Sequence, residues 1–201
     1  MQINKDTKLF GSFSSAPGNN GCNYFNSRFK EEGKNAIYKS FYGDNAVDVA
    51  VATKILKFTG YALSMPLKVS ILNYLDDLDI HAAQIGAANT VVLQNGKYVG
   101  YNTDWYGVQE FFIQEGIEAI SIIGNGGFSK AIQYCCKVND WKYEVFDRIN
   151  IGYLDRAKYK TFNATPADFI CDYDGRPNSE TGRIIAQLQA AQQYKLYEKE
   201  I

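Results

Sequence analysis

Gly60-Tyr-Ala-Leu-Ser-Met-Pro-Leu-Lys68, then Gly86-Ala-Ala-Asn-Thr90, then Tyr101-Asn-Thr-Asp104 are three polar knots in otherwise apolar sequence. Residues 62–65 read as a strand end stopped by Pro66, which has no N–H to give to a sheet ladder. Lys68 then falls on the turn just beyond that end, where α/β proteins place their ligands. Between 91 and 101 two apolar runs flank Gln94-Asn-Gly-Lys97, and Asn-Gly suits the type I′ turn of a hairpin. A hairpin folds the chain back, so Asn89 and Asn102 enter and leave it side by side. That arrangement gathers Lys68, Asn89 and Asp104 about one cleft. A lysine and an aspartate sharing a cleft make a proton-transfer pair, because the carboxylate holds the ammonium and tunes its acidity. The same two residue types also make ordinary surface ion pairs, and spacing alone leaves that choice open.

Upstream, residues 9–14 predict a first strand and 15–21 a loop rich in turn residues. Residues 23–32 have Tyr24, Phe25 and Phe29 at helical spacing, with Gly33 as the stop. Residues 36–41 alternate like a strand. Asn45 is placed to cap a helix over 46–59 whose apolar face carries Val47, Val51, Ile55 and Phe58, with Gly60 ending it. Strand, helix, strand, helix, strand is an α/β half-domain.

Downstream, residues 105–115 predict a helix with Val108, Phe111 and Phe112 turned inward, linking two domains. Residues 119–123 read as a buried parallel strand, and Gly124-Asn-Gly-Gly-Phe-Ser-Lys-Ala131 opens the next helix. Strand, glycine-rich turn and helix together make the phosphate-binding start of a Rossmann unit, with Gly124, Asn125, Gly126 and Gly127 as the cofactor turn. A tight strand-to-helix connection likes glycine for its own sake, so the turn alone is a weak signal. The strand 143–146 strengthens it by ending in Asp147-Arg148. An acidic residue there binds the adenine ribose hydroxyls and favours NAD; an arginine meets a 2′-phosphate and favours NADP. After one helix-like stretch at 153–159, Phe162-Asn-Ala-Thr-Pro166 and a strand at 169–173 follow at once, so this domain is short. The last helix spans 181–197, with Ile184, Leu188, Ala191 and Leu196 broadly on one side. The expected division is 1–104 with the returning helix 183–201, and a shortened Rossmann-like domain at 105–182.

The chain of 201 residues is 46% hydrophobic, which suffices for one large core or two small ones. A net charge of −1 gives no electrostatic footprint for nucleic acid or an anionic membrane. No apolar run reaches bilayer length, and the polar start Met1-Gln-Ile-Asn-Lys-Asp does not read as a signal peptide. Cys135 and Cys136 are adjacent, while Cys22 and Cys171 lack metal-ligand spacing. All four are expected to be reduced, in a cytoplasmic protein that holds no metal. The single histidine, His81, has no neighbouring nucleophile and is expected to be structural.

Ser64-Met-Pro-Leu-Lys68, Ile85-Gly-Ala-Ala-Asn-Thr90 and Gly100-Tyr-Asn-Thr-Asp104, in this order and spacing, resemble the shikimate dehydrogenases. Lys5-Asp-Thr-Lys-Leu9 with Ser12-Phe-Ser-Ser-Ala-Pro-Gly-Asn19 resembles the shikimate dehydrogenase-like subgroup. The resemblance runs from about residue 5 to 125 and resumes near the C-terminus. It implies that Lys68 and Asp104 are the catalytic pair, and that Ser12, Ser14, Ser64 and Asn89 contact substrate. Ser12 and Ser14 would hold a carboxylate, and Gln189 of the last helix would reach the same substrate. The implied reaction is NADP- or NAD-dependent interconversion of a ring hydroxyl and a ketone on a shikimate- or quinate-like polyol acid. The chain departs from the subgroup at Ala16, where an arginine is usual, and that weakens or alters anion recognition. The short nucleotide domain leaves a rival expectation, a relative that binds a small acid without turnover.

Overall fold

Alternation along Lys8–Ser14 (β1) sends Phe10 to one side of a sheet and Phe13 to the other, and both are buried. β1 lies between two parallel neighbours, Ala36–Tyr42 (β2) and Gly60–Leu63 (β3). Parallel strands need crossovers, and helices Asn20–Glu31 (α1) and Ala46–Ile55 (α2) supply them. The short helix Leu67–Ser70 (α3), strand Asp77–Leu78 (β4) and helix Ile80–Ile85 (α4) lead to the hairpin Thr90–Gln94 (β5) and Lys97–Tyr101 (β6). The hairpin forms as its sequence requires: Gln94 pairs with Lys97, and Asn95 and Gly96 take φ of 50° and 78° in the left-handed region of a type I′ turn. The sheet order is β2-β1-β3-β5-β6-β4, with β5 antiparallel to both β3 and β6.

This computed structural model describes residues 3–201, and the chain divides into two units, Met1–Asn102 with Gln193–Ile201, and Thr103–Gln192. The first unit holds the six-stranded sheet with a core on each face. On one, the rings of Phe10, Phe25, Phe29, Tyr194 and Tyr197 lie within 4.7–6.4 Å of their neighbours. On the other, Phe13, Phe58, Tyr61, Leu67, Ile71 and Val91 form a continuous apolar cluster.

α2 starts as expected, with Asn45 Oδ1 accepting the N–H groups of Val47 and Asp48 at 2.8 and 3.3 Å. Its buried face is not the predicted one. Val47, Val51 and Ile55 face solvent, while Ala46, Val49, Ala50 and Thr53 are buried. The bulky rings of Phe58 and Tyr61 fill the sheet surface beneath, so the helix docks through its small residues. Thr53 is tolerated there because its hydroxyl donates to the carbonyl of Val49 at 2.9 Å. The helix also ends at Ile55, since Lys57 has a φ of 53°; Phe58 then belongs to the core rather than to the helix.

The second unit holds helices Asp104–Glu115 (α5) and Gly127–Val138 (α6) and strands Ala119–Ile123 (β7), Lys142–Phe146 (β8), Thr161–Asn163 (β9) and Tyr173–Asp174 (β10). The sheet is parallel throughout, in the order β10-β9-β7-β8. Val108, Phe111 and Phe112 of α5 are buried as expected. The helix expected at 153–159 is absent: only a 3-10 turn, Ile151–Tyr153, forms there. Asp155 Oδ1 accepts the Ala157 N–H at 2.9 Å, an Asx turn that competes with helix, and Tyr153 is exposed, so no apolar face holds the segment down. The strand expected at 169–173 is reduced to its last residue and Asp174. Asp172 Oδ2 takes both the N–H and the hydroxyl of Thr161, at 2.7 and 2.9 Å, where a longer β10 would have offered carbonyls.

The last helix, Glu180–Tyr197 (α7), runs from the second unit into the first. Its buried positions are Gly182, Ile185, Ala190, Gln193, Tyr194 and Tyr197, whereas the predicted stripe of Ile184, Leu188, Ala191 and Leu196 is only half-buried. The boundary between the two units falls at Asn102/Thr103, and the last stretch of α7 from Gln193 belongs to the first unit. The four cysteines are thiols, and burial pushes Cys136 up to about 12, far from a reactive thiolate. Among the described residues no helix is long and apolar enough to cross a membrane, and no group of side chains has the makings of a metal site.

Candidate active site

One end of the first unit's sheet collects the quoted motifs. β1 ends at Ser14 and β3 at Leu63, and β5 starts beside them because it runs antiparallel to β3. The Ser64 N–H donates to the Phe13 carbonyl at 3.0 Å, and the Ser15 N–H to Met65 at 3.2 Å, which lashes the two strand ends together. The Leu63 N–H donates to the Asn89 carbonyl at 2.8 Å. Lys68 sits in α3 between the fully buried Leu67 and the nearby Ile71, so its backbone is anchored in the core while its side chain is half-exposed. The Lys68 carbonyl accepts the Ala88 N–H at 2.8 Å, and Asn102 Nδ2 donates to the Ala87 carbonyl at 2.9 Å. The structure thus brings Ser14, Ser64, Lys68 and Asn89 to one sheet end. Ser12 lies a pleat back, half-buried, with its hydroxyl donating to Ser40 Oγ at 3.1 Å. His81 is half-buried in α4, where its N–H helps Asp79 cap the helix.

In the second unit Asp104 is the first residue of α5 and is buried. A carboxylate in a first turn is favoured by the helix dipole. Its neighbour Thr103 donates from its hydroxyl to Gln189 Oε1 at 2.9 Å, so Gln189 and the start of α5 share a hydrogen bond.

The glycine-rich turn of the second unit lies where β7 meets α6, with β8 and β9 on opposite sides of β7. A strand flanked this way is the switch point at which open α/β sheets take ligands. Gly124 has a φ of 112°, and a Cβ there would lie 2.6 Å from Thr165 Cγ2. Gly126 is the N-cap of α6, no side chain caps the helix, and a Cβ there would meet nothing within 4 Å. The backbone at this turn is therefore bare and open, which suits a pyrophosphate. Asn125 is exposed beside it, within 3.5 Å of Gln133 Nε2. At the end of β8, Asp147 Oδ1 accepts the Ile149 N–H at 2.8 Å and Arg148 is exposed. Gly124→Val is expected to lower the melting temperature, since both φ and Thr165 oppose a side chain. Parent-like melting would show that the turn relaxes freely.

Residues 21–91 match the family profile described as the shikimate dehydrogenase substrate binding domain. The NADP(+)-dependent shikimate dehydrogenase of Methanococcus maripaludis is 42% identical over 95 residues, 45% of this chain and 34% of that protein. The shikimate dehydrogenase-like protein of Haemophilus influenzae is 31% identical over 153 residues, 74% of this chain and 54% of that protein. The chain is thus similar to the shikimate dehydrogenases. It spans about half or less of the length of these two curated relatives. The fold agrees: the shikimate 5-dehydrogenase of Thermus thermophilus superposes with a TM-score of 0.79 at 20% identity, covering 94% of this chain and 93% of that one.

The stretch matched to the family's substrate-binding domain contains Ser64, Lys68 and Asn89, whereas Ser12, Ser14 and Asp104 lie outside it. Four further residues shape the two clusters without having stood out in the sequence. Gln193 and Thr90 are buried behind Asn89, with Gln193 Nε2 donating to Thr90 Oγ1 at 2.8 Å. Ser129 donates to the Gly124 carbonyl at 2.7 Å, and Thr165 packs on Gly124. Of these, Thr90 closes the quoted Gly86–Thr90 motif, and Thr165 left a signal of its own: the asparagine of Asn-Ala-Thr-Pro accepts from the Thr165 N–H and hydroxyl, an Asx turn that forms the second wall of the glycine turn.

Proposed function

We propose that this chain is an NAD(P)-dependent oxidoreductase that interconverts a ring hydroxyl and a ketone on a shikimate- or quinate-like polyol acid. The observation that carries the reading is the convergence of Ser14, Ser64, Lys68 and Asn89 on one sheet end of the first unit. Short hydroxyl and amide side chains there suit a polyol, and an ammonium among them suits proton transfer. Lys68 takes the hydroxyl proton during oxidation and returns it during reduction, and Asp104 holds and orients the lysine. Ser14 and Ser12 receive the carboxylate. Gln189 and Ser64 bond to ring hydroxyls. Residues 1–104 with the returning helix serve substrate, and 105–182 serve the dinucleotide.

The cofactor supplies or accepts the hydride. Gly124, Asn125, Gly126 and Gly127 hold its pyrophosphate, and Asp147 and Arg148 meet the adenosine ribose. The Thermus thermophilus structure is described as a complex with NADP(H) and shikimate, which favours the same pair of ligands here. A cytoplasmic location, where the thiols stay reduced, accompanies this reading. Purified protein should change the nicotinamide absorbance with shikimate, quinate or their ketones; no change with any of them ends it.

Arg148→Ala should weaken NADP about tenfold while leaving NAD within a few fold, because only NADP carries the 2′-phosphate a guanidinium grips. Asp147→Asn should tighten NADP by removing a like charge. Calorimetric titration of both variants checks the pair, and two null results would move cofactor selection elsewhere.

A second reading is a relative that binds a small acid without turnover. The four-stranded sheet of the second unit favours it, since β8 is an edge with only a 3-10 turn beyond it. A polyol acid that binds equally with and without dinucleotide, and is never oxidised, would select this reading.

A further inference from the structure

We infer that Asn150 is a positioning residue that takes the place of an outer neighbour for β8 and so holds Asp147, and with it Arg148, at the strand end; this rests on the reading of that strand end as the ribose contact. β8 has one strand partner, β7, and is the edge of its sheet. Lys142 and Phe146 turn their main-chain groups inward: the Lys142 N–H donates to the Glu118 carbonyl at 2.9 Å, and the Phe146 carbonyl accepts the Gly124 N–H at 2.7 Å. Main-chain groups alternate along a strand, so those of Tyr143, Val145 and Asp147 face outward, where no strand meets them among the described residues.

At the end of β8 one side chain meets two of these groups. Asn150 Nδ2 donates to the Val145 carbonyl at 3.0 Å, and Asn150 Oδ1 accepts the Asp147 N–H at 2.6 Å. In a parallel ladder, a residue opposite Phe146 would donate to the first of these groups and accept from the second. One carboxamide therefore supplies the donor and the acceptor of a strand residue. Both partners are main-chain groups, and they fix its orientation, because a carbonyl only accepts and an N–H only donates. Asp147 is held on its other sides as well. Its carbonyl accepts the Ile151 N–H at 3.0 Å, and its Oδ1 accepts the Ile149 N–H at 2.8 Å. Oδ2 is then the oxygen left to accept from a ribose hydroxyl. Without Asn150 the last residues of an edge strand fray, and a bound dinucleotide has to order them, which lowers its affinity.

In the full chain, Asn150→Ala is expected to speed hydrogen exchange of the Asp147 amide about tenfold or more, while the Gly124 amide, on the inner side of β8, keeps its protection. Asn150→Asp keeps an acceptor for the Asp147 N–H and loses the donor to Val145, so its Asp147 amide should exchange faster than the parent's and slower than that of Asn150→Ala. Calorimetric titration should show NAD bound about tenfold more weakly by Asn150→Ala, with polyol acid affinity near the parent. Asp147→Ala should weaken NAD by a similar factor. Adding Asn150→Ala to it should change the affinity by less than about twofold, because the asparagine acts through the aspartate. Thermal melts identify a variant at 150 that fails to fold, and the other then decides. Parent-like exchange at Asp147 in either folded variant overturns the stand-in for a strand. Parent-like NAD affinity in Asn150→Ala, or a full tenfold further loss in the double variant, overturns the positioning role. If the parent binds no dinucleotide, the functional reading falls and the ribose role with it, while exchange at Asp147 still decides what Asn150 does at the strand edge.

Discussion

Lys68→Ala is expected to lower kcat by about 10²–10⁴ while polyol acid affinity stays within a few fold, the range for losing a general acid–base group. The split follows from what surrounds the lysine. Its backbone is fixed by the buried Leu67 and by the bond from the Ala88 N–H, so alanine at 68 leaves the loop and the neighbouring Asn89 in place. Ser14 and Ser64, the proposed substrate ligands, remain at the strand ends. Only the ammonium is lost, the group proposed to receive and return the hydroxyl proton. Lys68→Arg should not rescue, because a guanidinium stays protonated and cannot pass a proton on. Asp104→Asn should fall in the same range, and the double variant should cost little more than either alone, since two members of one proton-transfer unit are not additive. Turnover of Lys68→Ala close to the parent, measured at saturating cofactor, would remove the lysine from the chemistry.

Most of the fold was legible because its signals are local. The Asn95-Gly96 turn and the Gly124 turn are dictated by backbone geometry that few residues tolerate, and the Asn45 cap by a side-chain oxygen placed to accept the first N–H groups of α2. The three motifs were legible for a related reason: a hairpin returns its ends to each other whatever lies outside it. What was not legible depends on packing between distant segments. α2 carries two sets of apolar positions, and helical period alone could not say that the small set docks. That choice belongs to Phe58 and Tyr61, which come later in the chain. In α7 the same ambiguity hid Gln193, a glutamine among four, whose bond to Thr90 exists only because the two lie opposite each other. Between β8 and β9 the stretch 153–159 reads as helix-like, yet Tyr153 stays exposed because no surface is offered to it.

Tyr197→Ala is expected to cost about 3–5 kcal/mol in the stability of the first unit, the range for deleting a large buried ring. The residue is 0% exposed, and its ring lies 4.7 Å from that of Phe10 and 5.4 Å from that of Phe25. It joins the end of the last helix to the first strand and the first helix, so no flexible neighbour can close over the gap. The sheet itself makes room for the ring: a Cβ at Gly60 would lie 2.7 Å from Tyr197 Cε1 and 3.1 Å from the Val91 carbonyl, and that slot would become a void. Tyr197→Phe should behave in the opposite way. The Tyr197 hydroxyl is buried and has no hydrogen-bond partner among the described residues, so removing it relieves a desolvated polar group and leaves every ring contact. Burial also raises the Tyr197 phenol well above its ordinary value. The unfolded chain therefore ionises first, and the stability held by the neutral phenol is present below about pH 10 and lost as pH climbs above it. Urea midpoints, followed by a probe in the first unit, should place Tyr197→Phe at or above the parent at neutral pH and further above it in alkali. Tyr197→Ala should fall far below both. A Tyr197→Ala midpoint near the parent would mean that the end of the last helix does not hold the sheet's aromatic face together.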